Sequence, residues 1–240
     1  SKEEEEAKAT AVPECQNGAF NSADSIGQHT WPSNLQIILL IQFHETREIY
    51  MSDSFKKIAI IMRSYNDIDV IRSTLDMLSR QSLQGFELWN FVSRSTDGTM
   101  EVIQEFNDPE RILFNDPSNY NPGRILNEAV ATVDADILVF LNSDAIPCDE
   151  FWLEKLIEPL IDPTVGAVFG RQVSRPDCRS LLEKDTERAF GDGSESAGWL
   201  HFFSMASSAA RSDVLRRFPF EQGIQYSDDI EWSYRLRRSG

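Results

Sequence analysis

The sequence predicts an α/β fold: a mainly parallel sheet with helices on both faces. Three observations predict it. From Lys56 onward, short strand-like runs alternate with segments of helical period, in the order βαβαβαβ. The strand-like runs are strongly apolar, as "DILVFLN" from Asp136 illustrates, which is the pattern of strands covered on both sides. That run then stops abruptly at Asn142-Ser143-Asp144, a polar tip of the kind that α/β sheets present at the carboxyl ends of their strands.

The elements follow in order. "KKIAIIM" reads as the first strand. "NDIDVIRSTLDMLSRQ" puts Ile68, Ile71, Leu75 and Leu78 on one helical face. "FELWNFV" is a second strand, and "STDGTMEVIQEF" opens a helix with Ser95 or Thr96 as its expected cap. "RILFN" is a third strand, followed by the helix "GRILNEAVATV". "DILVFLN" is the fourth strand, "DEFWLEKLIEPLI" a helix and "VGAVFGRQV" a fifth strand. Beyond Gly170 the pattern loosens into a helix around "RSLLEKDTERAF", the loop "GDGSESAG", a strand near "HFFSMAS" and a last helix from Asp228.

Residues 1–50 show no clear period before Leu35, and Met51 leads a short polar stretch into the first strand. They are expected to form an extension outside the fold, the alternative being a divergent segment packed on the domain, which covers 51–240. The chain opens on "SKEEEEAKA", acidic where a secretory signal is basic, and "IILLI" (Ile37 to Ile41) is far shorter than the ~18 residues of a membrane span. No transmembrane segment is therefore expected. Net charge is −16, which repels phosphate backbones and argues against nucleic acid as a partner. Cys15, Cys148 and Cys178 are too few and too scattered for a disulfide framework, and they suggest a reducing, cytoplasmic setting. His29, His44 and His201 form no metal-type cluster.

The strand tips carry the chemistry. In chain order they read "RSYND", "VSRSTDGT", "NDPSNYNPGR" and "NSDAIP". Asp, Asn, Ser and Arg at such tips suit a nucleotide, sugar hydroxyls and a hard cation. Asp144 offers oxygen ligation, which fits magnesium or manganese bridging phosphates. Arg124 at a helix start can meet a phosphate together with the amides there.

Taken in order, "IAIIMRSYND", "STDGT", "NPGRILNEAV", "DILVFLNSDAIP" and "YSDDIEWSYRLRRSG" resemble the family 2 glycosyltransferases of the GT-A fold, closest to bacterial rhamnosyl- and galactosyltransferase-like members. The resemblance spans roughly Lys56 to Gly240. It implies a Rossmann-like GT-A sheet and an inverting transfer from a nucleotide-diphosphate sugar. The acceptor would be a glycan or lipid-linked molecule in surface polysaccharide synthesis, at the inner face of the membrane. Ser64, Tyr65, Asn66 and Asp97 would contact the nucleotide. The Asp-x-Asp-type motif falls on Asn142-Ser143-Asp144, so Asn142 would lie against the donor and Asp144 would meet Mn2+ or Mg2+. The acidic pair falls on Asp228-Asp229, with Asp229 as the catalytic base. Read without the resemblance, this pair simply begins a helix, where capping and the helix dipole favour carboxylates. Likewise Glu231 and Arg235 suit a surface pair, and Trp232 a packing residue.

Three departures accompany the resemblance. Val92 stands at the second strand tip, where an Asp usually bonds base or ribose; such a loss is comparable to ~1.5–3 kcal/mol. Met205 stands where relatives tend to be polar. The chain stops at "RRSG", where relatives continue to a further strand and often a histidine near the metal, so the domain is expected to be a C-terminally truncated fragment. Val92 and the missing C-terminal part favour the alternative of a degenerate, non-catalytic module that binds nucleotide or glycan, whereas Asp144 and Asp229 oppose it. A nucleotidyltransferase is disfavoured because "MRSYND" lacks the glycines of a phosphate loop.

Overall fold

The structure, a computed structural model, describes Phe55, residues 57–175, Lys184, Thr186, Glu187, Ala189, Phe190 and residues 203–239. Residues 1–50, His201, Cys178 and the "GDGSESAG" loop lie outside the described residues. The helix expected around "RSLLEKDTERAF" is described at five positions, each helical.

Six strands form one sheet: β1 (Ile58–Ser64), β2 (Glu87–Ser93), β3 (Ile112–Asn115), β4 (Ile137–Asn142), β5 (Ala167–Phe169) and β6 (Ser207–Arg211). Their order is β3-β2-β1-β4-β6-β5. β3, β2, β1 and β4 are mutually parallel, whereas β6 runs antiparallel to both β4 and β5. The strand order reverses between β1 and β4, which is where an open α/β sheet has its ligand crevice.

Strand parity builds the layers. Ala59, Ile61, Phe91, Leu138 and Phe140 face one core. It is closed by α3 (Pro122–Thr132), α5 (Ser212–Arg217) and α6 (Asp228–Arg238). Ile60, Met62, Val92, Val139 and Leu141 face the other side. There α1 (Ile68–Ser79), α2 (Thr99–Phe106) and α4 (Trp152–Ile157) cover them. Thus the expected helices on both faces are present.

Several local readings change. α1 buries Ile71, Thr74, Leu75 and Leu78, but Ile68 is 38% exposed at its first turn. Thr74 takes its place, donating its hydroxyl to the Ser143 carbonyl at 2.6 Å. Neither Ser95 nor Thr96 caps α2. The cap is Gly98 at φ +99°, a left-handed turn that favours glycine, and Asp97 Oδ1 accepts the Thr99 amide instead. The last strand is Ser207–Arg211, beginning at the final residue of "HFFSMAS", because Phe203 and Met205 pack into the core ahead of the sheet. β5 keeps only three residues of "VGAVFGRQV". It stops before Gly170, where a Cβ would sit 2.9 Å from Ser207 Oγ.

Val92 is the main correction. It is 1% exposed and packs with Met62, Ile71, Leu75 and Ile103 under α1 and α2. It therefore faces the core and not the crevice, and the neighbouring Phe91 and Ser93 share the opposite face.

Candidate active site

A cavity of about 490 Å³ opens at the tips of the parallel strands. Four of the expected residues line it: Ser64, Tyr65, Asn142 and Asp144. Arg63, Asp67, Phe91, Ser93, Asn115, Tyr120, Ile125 and Ser143 join them.

The tips of β1 and β4 are tied together. Arg63 and Asn142 are register partners, and the guanidinium donates to Asn142 Oδ1 at 2.8 Å. The Ser143 amide donates to the Arg63 carbonyl at 3.0 Å. Asp67 Oδ2 accepts both the Tyr65 amide, at 2.9 Å, and the Ser143 hydroxyl. Alternation along β1 could have found Arg63, because it shares the face of Ile61. The same alternation along "FVS" selects Ser93 rather than Val92.

Asn66 and Asp97 are not among the residues lining the cavity; their side chains fasten the loops beneath it. Asn66, at φ +52°, accepts the Thr96 amide at 2.9 Å, while its own amide donates to Ser95 Oγ. Asn tolerates this left-handed backbone better than most residues. Asp97 Oδ2 accepts the Ile68 amide at 3.0 Å. Desolvation works upward on the Asp97 carboxyl, but bonds from Thr99 and Ile68 outweigh it and hold the group below the usual carboxylate range. Arg124 also lies outside the cavity lining. Its Nη2 donates to the Asn119 carbonyl at 2.9 Å, and its Nη1 lies 3.7 Å from Glu128.

The acidic pair reaches the same strand tips from the far end of the chain. The Asn142 amide donates to the Ala206 carbonyl at 3.0 Å. The adjoining Met205 amide donates to Asp229 Oδ2 at 3.3 Å. Two hydrogen bonds therefore connect the β4 tip, through the segment before β6, to the first turn of α6. Asp228 lies near Arg63. Burial, and then repulsion from Asp229, push its carboxyl above the usual range, while the Arg63 charge acts the other way. Its Oδ2 is buried without a hydrogen-bond partner among the described residues.

α6 is held by packing and by a polar clamp. Trp232 is fully buried, 5.5 Å from the Phe203 ring and 5.2 Å from the Phe220 ring. It donates its indole N–H to the Phe218 carbonyl at 2.7 Å. Asn127 on α3 meets both backbone groups of Phe220, at 2.9 and 2.8 Å, and Asn121 donates to the Gln222 carbonyl at 2.8 Å. Gly123 lets α3 touch this segment, because a Cβ there would lie 2.3 Å from the Glu221 carbonyl oxygen.

Asp144 is exposed at the cavity and makes no hydrogen bond or ion pair among the described residues. No three His, Cys, Asp or Glu side chains converge among the described residues. A divalent ion here would therefore take few protein ligands and the rest from phosphates and water, which is the usual manner of Mg2+. The residues fit such an ion, with Asp144 as the protein carboxylate.

The profile of glycosyl transferase family 2 matches residues 59–218, which include all of the sheet but Ile58. The chain belongs to this family. It is 33% identical over 127 residues to the O-antigen chain rhamnosyltransferase RfbN of Salmonella typhimurium, covering 52% of this chain and 40% of that relative. Among solved structures, the mannosyltransferase PcManGT of Pyrobaculum calidifontis, in complex with GDP-Man and Mn2+, has a TM-score of 0.57 at 23% identity. That match covers 75% of this chain and 51% of the other. TarS of S. aureus, in complex with UDP-GlcNAc, has a TM-score of 0.54 at 16% identity, covering 75% and 53%. These likenesses establish the GT-A fold.

Proposed function

We propose that this family 2 domain transfers a sugar from a nucleoside-diphosphate donor to a hydroxyl of a glycan or lipid-linked acceptor, with inversion and with a divalent ion. The observation that carries the reading is the bonded path from the β4 tip, beside Asp144, to Asp229 on α6. It supports one crevice with a donor side on the parallel strands and an acceptor side on α6.

The reaction divides among the residues. The cavity at the strand tips takes the nucleotide, with Tyr65 and Ser64 on β1 and its loop and Asn142 on β4. Asp144 would hold the ion, which when bound would supply positive charge to the departing diphosphate. Arg63 adds a fixed positive charge on the same side and keeps Asn142 in place. Asp229 accepts the proton of the acceptor hydroxyl as its oxygen bonds to the anomeric carbon. The carbon–oxygen bond to the diphosphate breaks at the opposite face, its electron pair leaving with the phosphate, so the anomeric configuration inverts. Asp228 shapes the field around Asp229 and Arg63.

The test is product formation from a labelled sugar nucleotide, with donor affinity measured alongside. Asp229→Asn keeps shape but cannot take a proton; it should lower transfer by roughly 10²–10⁴-fold and leave donor binding near normal. Asp228→Asn should cost less. Near-normal transfer by Asp229→Asn would return Asp229 to a helix-capping role. A parent chain that binds donor and transfers nothing would favour the non-catalytic module.

A further inference from the structure

Arg63 and Asn142, paired across the tips of β1 and β4, line the cavity with spare hydrogen-bond donors. Arg63 is half-buried and makes no ion pair among the described residues. Its Nη2 donates to Asn142 Oδ1 at 2.8 Å, while its Nε and Nη1 have no partner on the described residues and are not sealed from solvent. A guanidinium only donates, so this bond fixes the Asn142 amide: the oxygen is spent on Arg63 and the NH2 is left over. That nitrogen is also unpartnered among the described residues and open.

The surrounding carboxylates leave the Arg63 charge uncancelled. Asp67 Oδ2 is taken by the Tyr65 amide and the Ser143 hydroxyl. Asp228 forms no ion pair with Arg63, and burial, then the Asp229 charge, push its carboxyl toward the neutral form. A half-buried guanidinium without a counter-charge is costly until an anion meets it. The residue at position 142 matters here. A carboxylate facing the guanidinium would pair with it and cancel its charge. Asn holds the two strand tips together, stays neutral, and leaves the charge for a ligand.

We infer that Arg63 and Asn142 grip the donor's diphosphate directly, so that the chain holds this group in part without a metal ion. The inference rests on the donor reading above. Nε and Nη1 of Arg63 and the NH2 of Asn142 donate to phosphate oxygens, and an ion at Asp144 would add to this hold.

The experiment is calorimetry of the parent chain in EDTA, comparing UDP with UMP and GDP with GMP, followed by the same titrations with Mn2+. In EDTA the better-bound diphosphate should exceed its monophosphate by at least about ten-fold, the scale of a hydrogen bond to a charged group, and should bind more tightly still with Mn2+. Arg63→Gln removes the charge, and Asn142→Asp cancels it; each should bring the lead over the monophosphate in EDTA close to parity. Melting curves of both variants without ligand separate this from loss of fold. If Arg63→Gln does not fold, Asn142→Asp carries the test, because it keeps shape and gains an ion pair with Arg63. A carboxylate that served only as a better metal ligand would tighten binding with Mn2+ and leave binding in EDTA as it was. That result, a parent with no preference for the diphosphate in EDTA, or a lead unchanged in folded Arg63→Gln overturns the grip; binding of the diphosphate with Mn2+ then leaves the donor reading standing. Absence of binding of UDP and GDP both with and without Mn2+ overturns both.

Discussion

Asp228 and Asp229 are neighbours with different surroundings. Asp229 gives both oxygens to backbone amides, those of Met205 and Ile230. Asp228 has an oxygen buried without a hydrogen-bond partner among the described residues, and burial first, then the Asp229 charge, raise its pKa. The sign follows from linkage: the folded state binds this proton more tightly than the unfolded chain does. The stability that goes with the bound proton is complete below the unfolded value, about 3.9, and is lost as pH rises through the raised folded value. Asp228→Asn has no proton to lose. Its melting temperature relative to the parent should therefore change little at low pH and improve steadily toward neutral pH. Paired melting curves across pH 3 to 8 measure this. A difference that stays flat, or reverses, would mean that the Arg63 charge outweighs burial.

At the scale of the element, the close approach of α3 to the segment before α6 governs where the acidic pair stands. Gly123→Ala puts a methyl 2.3 Å from the Glu221 carbonyl oxygen and 3.0 Å from its carbon, both backbone atoms that cannot swing aside. Overpacking of this kind costs about 1–3 kcal/mol. The expected outcome is a melting temperature lower by roughly 2–4 °C per kcal/mol, with transfer falling more than donor affinity. Unchanged stability and transfer would show that the segment is free to shift. The elements also show what the sequence made legible. β1, β2 and β4 were plain because apolar side chains are the majority in each, and so were the long helices. β6 was misplaced by its composition: Ser207, Ser208, Ala209 and Ala210 have weak strand propensity, and only pairing with β4 and β5 makes them a strand. α5, six residues long, was missed for want of a full period.

For the whole molecule, the sequence located the crevice better than it located its walls. Polar strand tips pointed to Ser64, Tyr65, Asn142 and Asp144, which do line one cavity. Side-chain direction at a strand end is decided by a single residue of register, and so Val92 was read where Ser93 stands. Asn66 and Asp97, which the family resemblance offers as nucleotide contacts, bond loop amides here, and loop fasteners and ligands draw on the same residue types. A test on the intact chain follows from the donor reading. A nucleoside diphosphate with Mn2+ at 100 times its Kd should stabilise the fold by about 2.7 kcal/mol. That corresponds to a rise of roughly 5–10 °C in melting temperature. EDTA should remove most of the rise, and so should Asp144→Asn, whose own melting temperature without ligand should stay near the parent's. A full rise in Asp144→Asn would take the ion away from Asp144.

The sheet order also sets a sequence of events on the ribosome. β1 sits between β2, which follows it closely, and β4, whose Asn142 pairs across from Arg63 after 79 residues. β2 can zip onto one side of β1, and β3 onto β2, as soon as they emerge. The other side must wait, with its backbone amides and carbonyls bare and with Ile58, Ala59, Ile60, Ile61 and Met62 along the strand. A bare apolar strand edge pairs readily with a neighbouring nascent chain. The arrival of β4 seals that edge and brings together the strand tips of the donor side in the same step. Nascent chains stalled or cleaved between α3 and β4 therefore combine two properties: they cannot bring Arg63 to Asn142, and they are the ones most exposed to aggregation.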